Sequence, residues 1–166
     1  MTKLEIIDDI LAPKDTIVVR FQGKNPVVTA MMVPKMLVDV LKVSAKDVLE
    51  TDIKWDTNPT SGGEMRDFYG RWGGKRTEDR WTETRVRIII QGAQHAKERT
   101  GWARIELKGT IYTKYEYSMF MQRSFWWFYN LMFYHKQRRA YIEQGKDFLY
   151  TMRDIFQRTL GISPEE

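Results

Sequence analysis

The sequence predicts an α+β fold in which a curved antiparallel β-sheet packs on one long C-terminal α-helix, with two short helices after the first strand. Three observations lead there. Residues 118–160 contain no proline and a single glycine, Gly145, so a helix can run through them. Two stretches, Arg80–Gln91 and Trp102–Tyr117, alternate apolar and polar residues with the period of a half-buried strand. The segments between the strands are short, which favours antiparallel neighbours over crossovers.

Taken in order, the first strand is expected at Thr16–Gln22, with Ile17, Val19 and Phe21 on one face. Asn25 followed by Pro26 reads as a helix start. Val27–Val33 then forms one short helix, and Pro34 ends or kinks it while opening the next, Lys35–Lys42. Ser44 and Asp47 have capping-box spacing for a helical turn. A second strand spans Glu50–Asp56, and the loop Thr57–Gly63 breaks all regular structure with one proline and two glycines. A third strand, Glu64–Trp72, places Phe68, Gly70 and Trp72 together, with Gly73 and Gly74 as the turn.

The fourth strand sets Thr82, Thr84, Val86, Ile88 and Ile90 against Trp81, Glu83, Arg85 and Arg87. In the last, Ala103, Ile105, Leu107, Ile111, Thr113 and Tyr115 share the buried face. About fifteen residues at roughly 3.3 Å each would run about 50 Å, so this strand must bend, and Gly109 is the natural place. The helix has two halves. From Tyr134 onward an apolar stripe recurs through Tyr141, Phe148, Met152 and Ile155, widened by Ile142, Leu149 and Phe156. Residues 125–134 are apolar all round except Asn130, so a sheet, a partner or a membrane surface must close on more than one side.

Composition bounds the chemistry. The 166 residues are most simply one domain, 1–166, and 42% hydrophobic content suffices for a core. The absence of cysteine removes disulfides, thiolate metal sites and cysteine nucleophiles, and is compatible with a cytoplasmic protein. The acidic N-terminal stretch lacks the basic-then-apolar pattern of a secretory signal. Phe125–Tyr134 is half the roughly 20 residues that a spanning helix needs, and Arg123 with Lys136, Arg138 and Arg139 bracket it. The net charge of +5 is unevenly spread. Residues 66–140 hold 16 Lys and Arg against 7 Asp and Glu, a balance of +9, and the segments on either side are −2 each. A positive face of this kind suits phosphate or anionic lipid.

The order of strand, two short helices, antiparallel strands and long final helix resembles the START-like helix-grip (SRPBCC) superfamily. The resemblance rests on element order over roughly Ile17–Leu160, and no short motif carries it. It implies a curved sheet wrapped on the C-terminal helix, with a hydrophobic ligand held between them.

Catalytic motifs are weak. His95 and His135 are the only histidines and neither has a partner at metal-ligand spacing. Gly70–Thr77 falls short of a phosphate loop, with Tyr69 and Arg76 where glycine and a hydroxyl residue belong. No nucleophile elbow occurs. Asp56, Glu64 and Asp67 flank the flexible loop near Arg71 and read as strand-edge charges. No catalytic residue, metal or cofactor is therefore expected. The leading expectation is a non-catalytic protein binding a hydrophobic small molecule or lipid through Trp55, Phe68, Trp72, Ile88, Ile111 and Tyr115 of the sheet and Tyr129 and Phe133 of the helix. An alternative uses Arg71, Lys75, Arg76, Arg80, Arg85 and Arg87, with Trp72 and Trp81 among them, to bind single-stranded nucleic acid, an anionic membrane or a protein partner. A third expectation pairs the aromatic half of the helix with its copy in a homodimer.

Overall fold

Strand β6 (Thr100–Tyr117) is the spine of the six-stranded sheet, because three strands pair with it directly, two along one side and one along the other. The structure is a computed structural model and describes residues 2–56 and 64–163. Its sheet is antiparallel throughout. A meander of β3 (Val48–Trp55), β4 (Met65–Thr77) and β5 (Thr82–His95) lies on one side of β6. On the other side β1 (Thr2–Asp9) and β2 (Ile17–Lys24) pair end to end along the same edge.

The partner strands change where the sequence predicts the bend. β2 covers residues 100–107 of β6 and β1 covers 110–117, leaving Lys108 and Gly109 opposite the break. There Ile10 donates its amide to the Gly109 carbonyl (3.1 Å) and buries its side chain completely. The N-terminal segment, read as a lead-in, is thus a strand. It escaped notice because Leu4, Ile6 and their neighbours are too mixed with acids to show a clean period.

Helix α1 (Val28–Leu41) lies on the inner face over β4. Two short helices were expected; one continuous helix forms, with Pro34 inside it. Proline removes a single hydrogen bond, and burial of Val33, Met36, Leu37 and Leu41 outweighs that loss. Asn25 adopts a left-handed φ of 53°, and Val27 is the N-cap in its place. The 3-10 turn Ala45–Asp47 carries no side-chain cap from Ser44.

Gly73 and Gly74 are not the turn between β4 and β5. The strand continues through them to Thr77, and the chain reverses at residues 78–81. Gly74 faces α1 so closely that a Cβ would stand 2.6 Å from Leu41 Cδ1. The glycine is there for helix-on-sheet contact. The Thr57–Gly63 loop lies outside the described residues.

The last helical stretch comprises α2 (Phe120–Tyr129), a π-helical turn (Asn130–Tyr134) and α3 (His135–Leu160). α3 crosses the inner face of the sheet on Gly145, Leu149, Met152 and Phe156, all buried. The inner residues Val86, Ile88, Ile90, Ile105, Leu107 and Ile111 meet them in one apolar core. The fold is the α+β arrangement read from the sequence.

Candidate binding surfaces

α2 turns back over one end of the sheet. Gln122 fixes that reversal by accepting from the Ser118 amide (3.0 Å) through Oε1, while its own amide donates to the Met119 carbonyl (3.1 Å). One stripe of the helix, Trp126, Asn130 and Tyr134, is buried on the sheet end. Four residues of α-helix turn about 400°, so an i, i+4 stripe drifts about 40° per step. The wider π turn at residues 130–134 offsets that drift and keeps the stripe, and Arg138 after it, on one side. Trp126 stacks on Tyr115 (5.3 Å, 22°). Tyr134 meets Trp81 of the β4–β5 turn edge-on (5.3 Å, 89°).

A polar knot lies beneath these rings. Asp79 Oδ1 accepts from the Trp81 and Thr82 amides (2.7 and 2.9 Å), and Oδ2 from the hydroxyls of Tyr134 and Tyr141 (2.7 and 2.9 Å). Partial burial pushes the Asp79 carboxyl up, but the Tyr134 hydroxyl and the other three donors outweigh it and hold the group below its ordinary range. Burial and the same carboxylate push Tyr134 well above the usual phenol. An anion held ionised by donors held neutral is a clamp between turn and helix, and neither group is poised to exchange protons near neutral pH.

Outside that stripe α2 is bare. Ten large apolar side chains between Met119 and Phe133 expose 43–76% of their surface. At roughly 150–250 Å² for an aromatic residue, the total is on the order of 1,000 Å², against roughly 300–600 Å² for the largest apolar patch of a typical monomer. Residues 118–142 contain Arg123, Lys136, Arg138 and Arg139 and no Asp or Glu. Arg138 is occupied by Asp8 (2.5 Å), whereas Arg123, Lys136 and Arg139 are exposed and form no ion pair among the described residues. The surface is therefore apolar and cationic. No helix among the described residues is long and apolar enough to cross a membrane.

The second surface lies on the outer face of the sheet. Gly73 leaves a notch there, flanked by Leu49 on β3 and by Arg87 and Lys108 on β5 and β6 in one cross-strand row. In the next row Lys75 faces Arg85 and then Thr110. With Arg71 these residues line an open groove of about 620 Å³. Glu83 bridges Lys75 (2.9 Å) and Arg85. Its partial burial opposes ionisation, yet the two cations outweigh that and hold its carboxyl low. Asp15 pairs with Lys108 at 2.8 Å and raises that ammonium's pKa.

Of the eight residues expected to hold a hydrophobe, Phe68, Trp72, Ile88 and Ile111 are buried in the core. Trp55 stacks on Phe68 at the sheet edge (6.1 Å), Tyr115 lies under Trp126, and Tyr129 and Phe133 are exposed on the helix. Of the six basic residues, Arg71, Lys75, Arg85 and Arg87 come together in the outer groove. Arg76 points to the inner face, donating to the Leu41 carbonyl (3.3 Å) beneath Phe148, and Arg80 stacks on Trp81 (4.3 Å) at the sheet end. Sequence reasoning missed Lys108 and Asp79. The first needs the strand register. The second was hidden by placing the turn at Gly73 and Gly74.

The class the fold defines is an antiparallel sheet gripping a long C-terminal helix, a topology compatible with the helix-grip arrangement. No family model matches the chain, and no curated protein matches it. Two solved structures match at low similarity. A protein of unknown function from Staphylococcus aureus shows a TM-score of 0.27 and 12% identity over 95% of this chain and 96% of its own. A putative uncharacterized protein from Rhizobium leguminosarum shows 0.21 and 10% over 92% and 97%.

Proposed function

We propose that this is a non-catalytic, cytoplasmic protein that binds lipid, docking the aromatic end of its C-terminal helix on an anionic membrane surface. The observation that carries the reading is the pairing of about 1,000 Å² of exposed apolar side chains with a cationic, acid-free rim at residues 118–142. Tryptophan, tyrosine and phenylalanine with flanking lysine and arginine suit the boundary between headgroups and acyl chains. Charge decides between this occupant and a second copy of the chain. An isologous dimer through the same face would bring Arg123, Lys136 and Arg139 near their own copies, whereas anionic headgroups complement them. Resemblance in element order to the START-like superfamily is in keeping with a lipid ligand. In this reading Tyr129 and Phe133 of the expected set touch it, and Tyr115 supports them through Trp126.

Flotation with vesicles tests the proposal. Protein should float with vesicles containing about one-third phosphatidylserine and much less with phosphatidylcholine alone, and added salt should weaken the association. Trp127→Glu with Phe128→Glu should abolish it. Failure of the native protein to float, or dimerisation in light scattering that is lost in the double variant together with unchanged flotation, would overturn it.

A further inference from the structure

The groove on the outer face of the sheet has a charge arrangement that the fold does not need. Lys75 stands directly opposite Arg85, and in the adjoining row Arg87 stands directly opposite Lys108. Like charges paired across strands destabilise a sheet. On the β1 side of β6 the charges alternate in sign, with Lys3 against Glu116 and Glu5 against Lys114, and Arg20 against Arg104 on the β2 side is the other like-charged pair of this strand. Glu83 and Asp15 offset part of the charge from the rim. Arg87 and Arg71 form no ion pair among the described residues, and Arg71 keeps a buried Nε without a hydrogen-bond partner. Arg71 is steadied on this face by donating from Nη2 to the Tyr69 hydroxyl (3.2 Å).

Shape adds to charge. Gly73 stands in the same row as Arg87 and Lys108 and contributes no side chain, so the floor of the groove is backbone bordered by Leu49, which is 63% exposed. A volume of about 620 Å³ falls within the roughly 300–1,000 Å³ of small-molecule sites. Cations concentrated at one side and a backbone floor at the other, with Leu49 and the single acid Asp47 at its border, fit a molecule with an anionic head and a planar or apolar body. Guanidinium groups match phosphate oxygens in a fork that a single carboxylate partner does not exhaust.

We propose that this groove is a binding site for a soluble, phosphorylated organic molecule of about nucleotide size. Its phosphates lie among Arg87, Lys108, Lys75 and Arg71, and its body lies over Gly73 against Leu49. The site is separate from the membrane-facing helix and requires no lipid.

The test is a titration of the full chain at low salt with inorganic pyrophosphate and with ADP as probes, followed by backbone amide NMR shifts. Both probes should move the amides of Gly73, Arg87 and Lys108, and ADP should bind several-fold more tightly because it adds the planar body. Arg87→Gln with Arg71→Gln should weaken both by at least tenfold while leaving the spectrum of the fold intact. Arg139→Gln, on the helix end, should change neither. Phosphatidylserine vesicles should perturb residues of α2 and leave Gly73 unmoved, which separates this site from the proposed membrane contact. The proposal is overturned if millimolar pyrophosphate moves none of the three amides. It is equally overturned if the double glutamine variant binds as the native protein does, or if ADP binds no better than pyrophosphate.

Discussion

Tyr134 donates its hydroxyl to Asp79 across the end of the sheet at 2.7 Å, joining the π turn that leads into the crossing helix to the turn between β4 and β5. Tyr134 is at the same time in hydrogen-bond contact with Thr82, which reaches Thr113 on the next strand at 3.0 Å. The aromatic end is thus held by a polar knot under a layer of rings, and its outward surface is left unengaged.

That knot predicts an acid-sensitive end. The Asp79 carboxyl titrates below its ordinary 3.8 in the folded protein, because burial, which opposes ionisation, is outweighed by donation from Tyr134, Trp81, Tyr141 and Thr82. A lowered folded-state pKa means that the unfolded chain binds the proton first. The stabilisation is therefore complete above pH 3.8 and is lost as pH falls through the lower folded value. Asp79→Asn should remove this part of the acid dependence and, at pH 7, cost about 1–3 kcal/mol through the lost acceptor. Urea unfolding of both proteins between pH 2 and 7 measures it, and parallel acid limbs would show that Asp79 does not set them.

Gly145 of α3 lies directly against Ile10, the residue that follows β1. A Cβ on Gly145 would stand 2.6 Å from Ile10 Cδ1 and 3.2 Å from its Cγ1, and Ile10 is fully buried. Alanine normally favours a helix interior over glycine by about 1 kcal/mol. Here overpacking, typically about 1–3 kcal/mol, should win, making Gly145→Ala destabilising. Ile10→Val removes the clashing Cδ1 and alone should cost about 0.5–1.5 kcal/mol. Combined, the two changes should cost less than their sum, as a double-mutant cycle by chemical denaturation would measure. Strict additivity would mean that the helix shifts away and Ile10 is not the obstacle.

The main elements are legible from pattern because each has one wet face. β5 and β6 alternate cleanly from Thr82 and Ala103 onward, and the stripe through Leu149, Met152 and Phe156 has helical spacing, so both halves of the core could be read. Where tertiary contact overrides local preference, sequence misleads. Gly73–Gly74 has the composition of a turn, yet Gly74 is a contact point for Leu41, and Pro34 has the character of a breaker within a helix that burial sustains. The cationic groove could be read only in part. Arg71, Lys75, Arg85 and Arg87 were visible as a basic cluster, but their alignment with Lys108 depends on a register that a misplaced turn conceals.

Arg138 holds β1 to the helix. Its Nε and Nη2 donate to Asp8 Oδ2 (3.1 and 2.5 Å), and Nη1 reaches Asn130 Oδ1 (3.3 Å). The arginine side chain is 14% exposed, so the pair is better shielded than a surface ion pair. Arg138→Met keeps much of the stem packing and removes the three donors, at a cost of about 1.5–3 kcal/mol for bonds to a charged group. β1 is an edge strand in which no side chain is fully buried, so opening should be local. Hydrogen exchange should quicken at Leu4, Ile6 and Asp8 and stay slow at Ile105 and Ile88. Uniform quickening across the sheet would instead indicate global destabilisation.

Trp126 and Trp127 are neighbours in sequence with opposite environments, 4% and 43% exposed. Trp126 lies between Tyr115 and the rings of Trp127 and Tyr134, so Trp126→Ala should cost about 3–5 kcal/mol and lower the thermal midpoint by many degrees. Trp127 projects outward from the same turn. Replacing it with glutamate should cost about 0.5–1.5 kcal/mol for the edge-on contact with Trp126, well below the cost at Trp126 itself. A glutamate there also adds a negative charge within a segment that otherwise holds only positive ones, so solubility should improve. Thermal melts and vesicle flotation read on the same two variants separate the residue that holds the helix from the residue that the helix presents. If Trp127→Glu destabilises the protein as Trp126→Ala does, the outer face of α2 is engaged within the chain and is not free for a membrane.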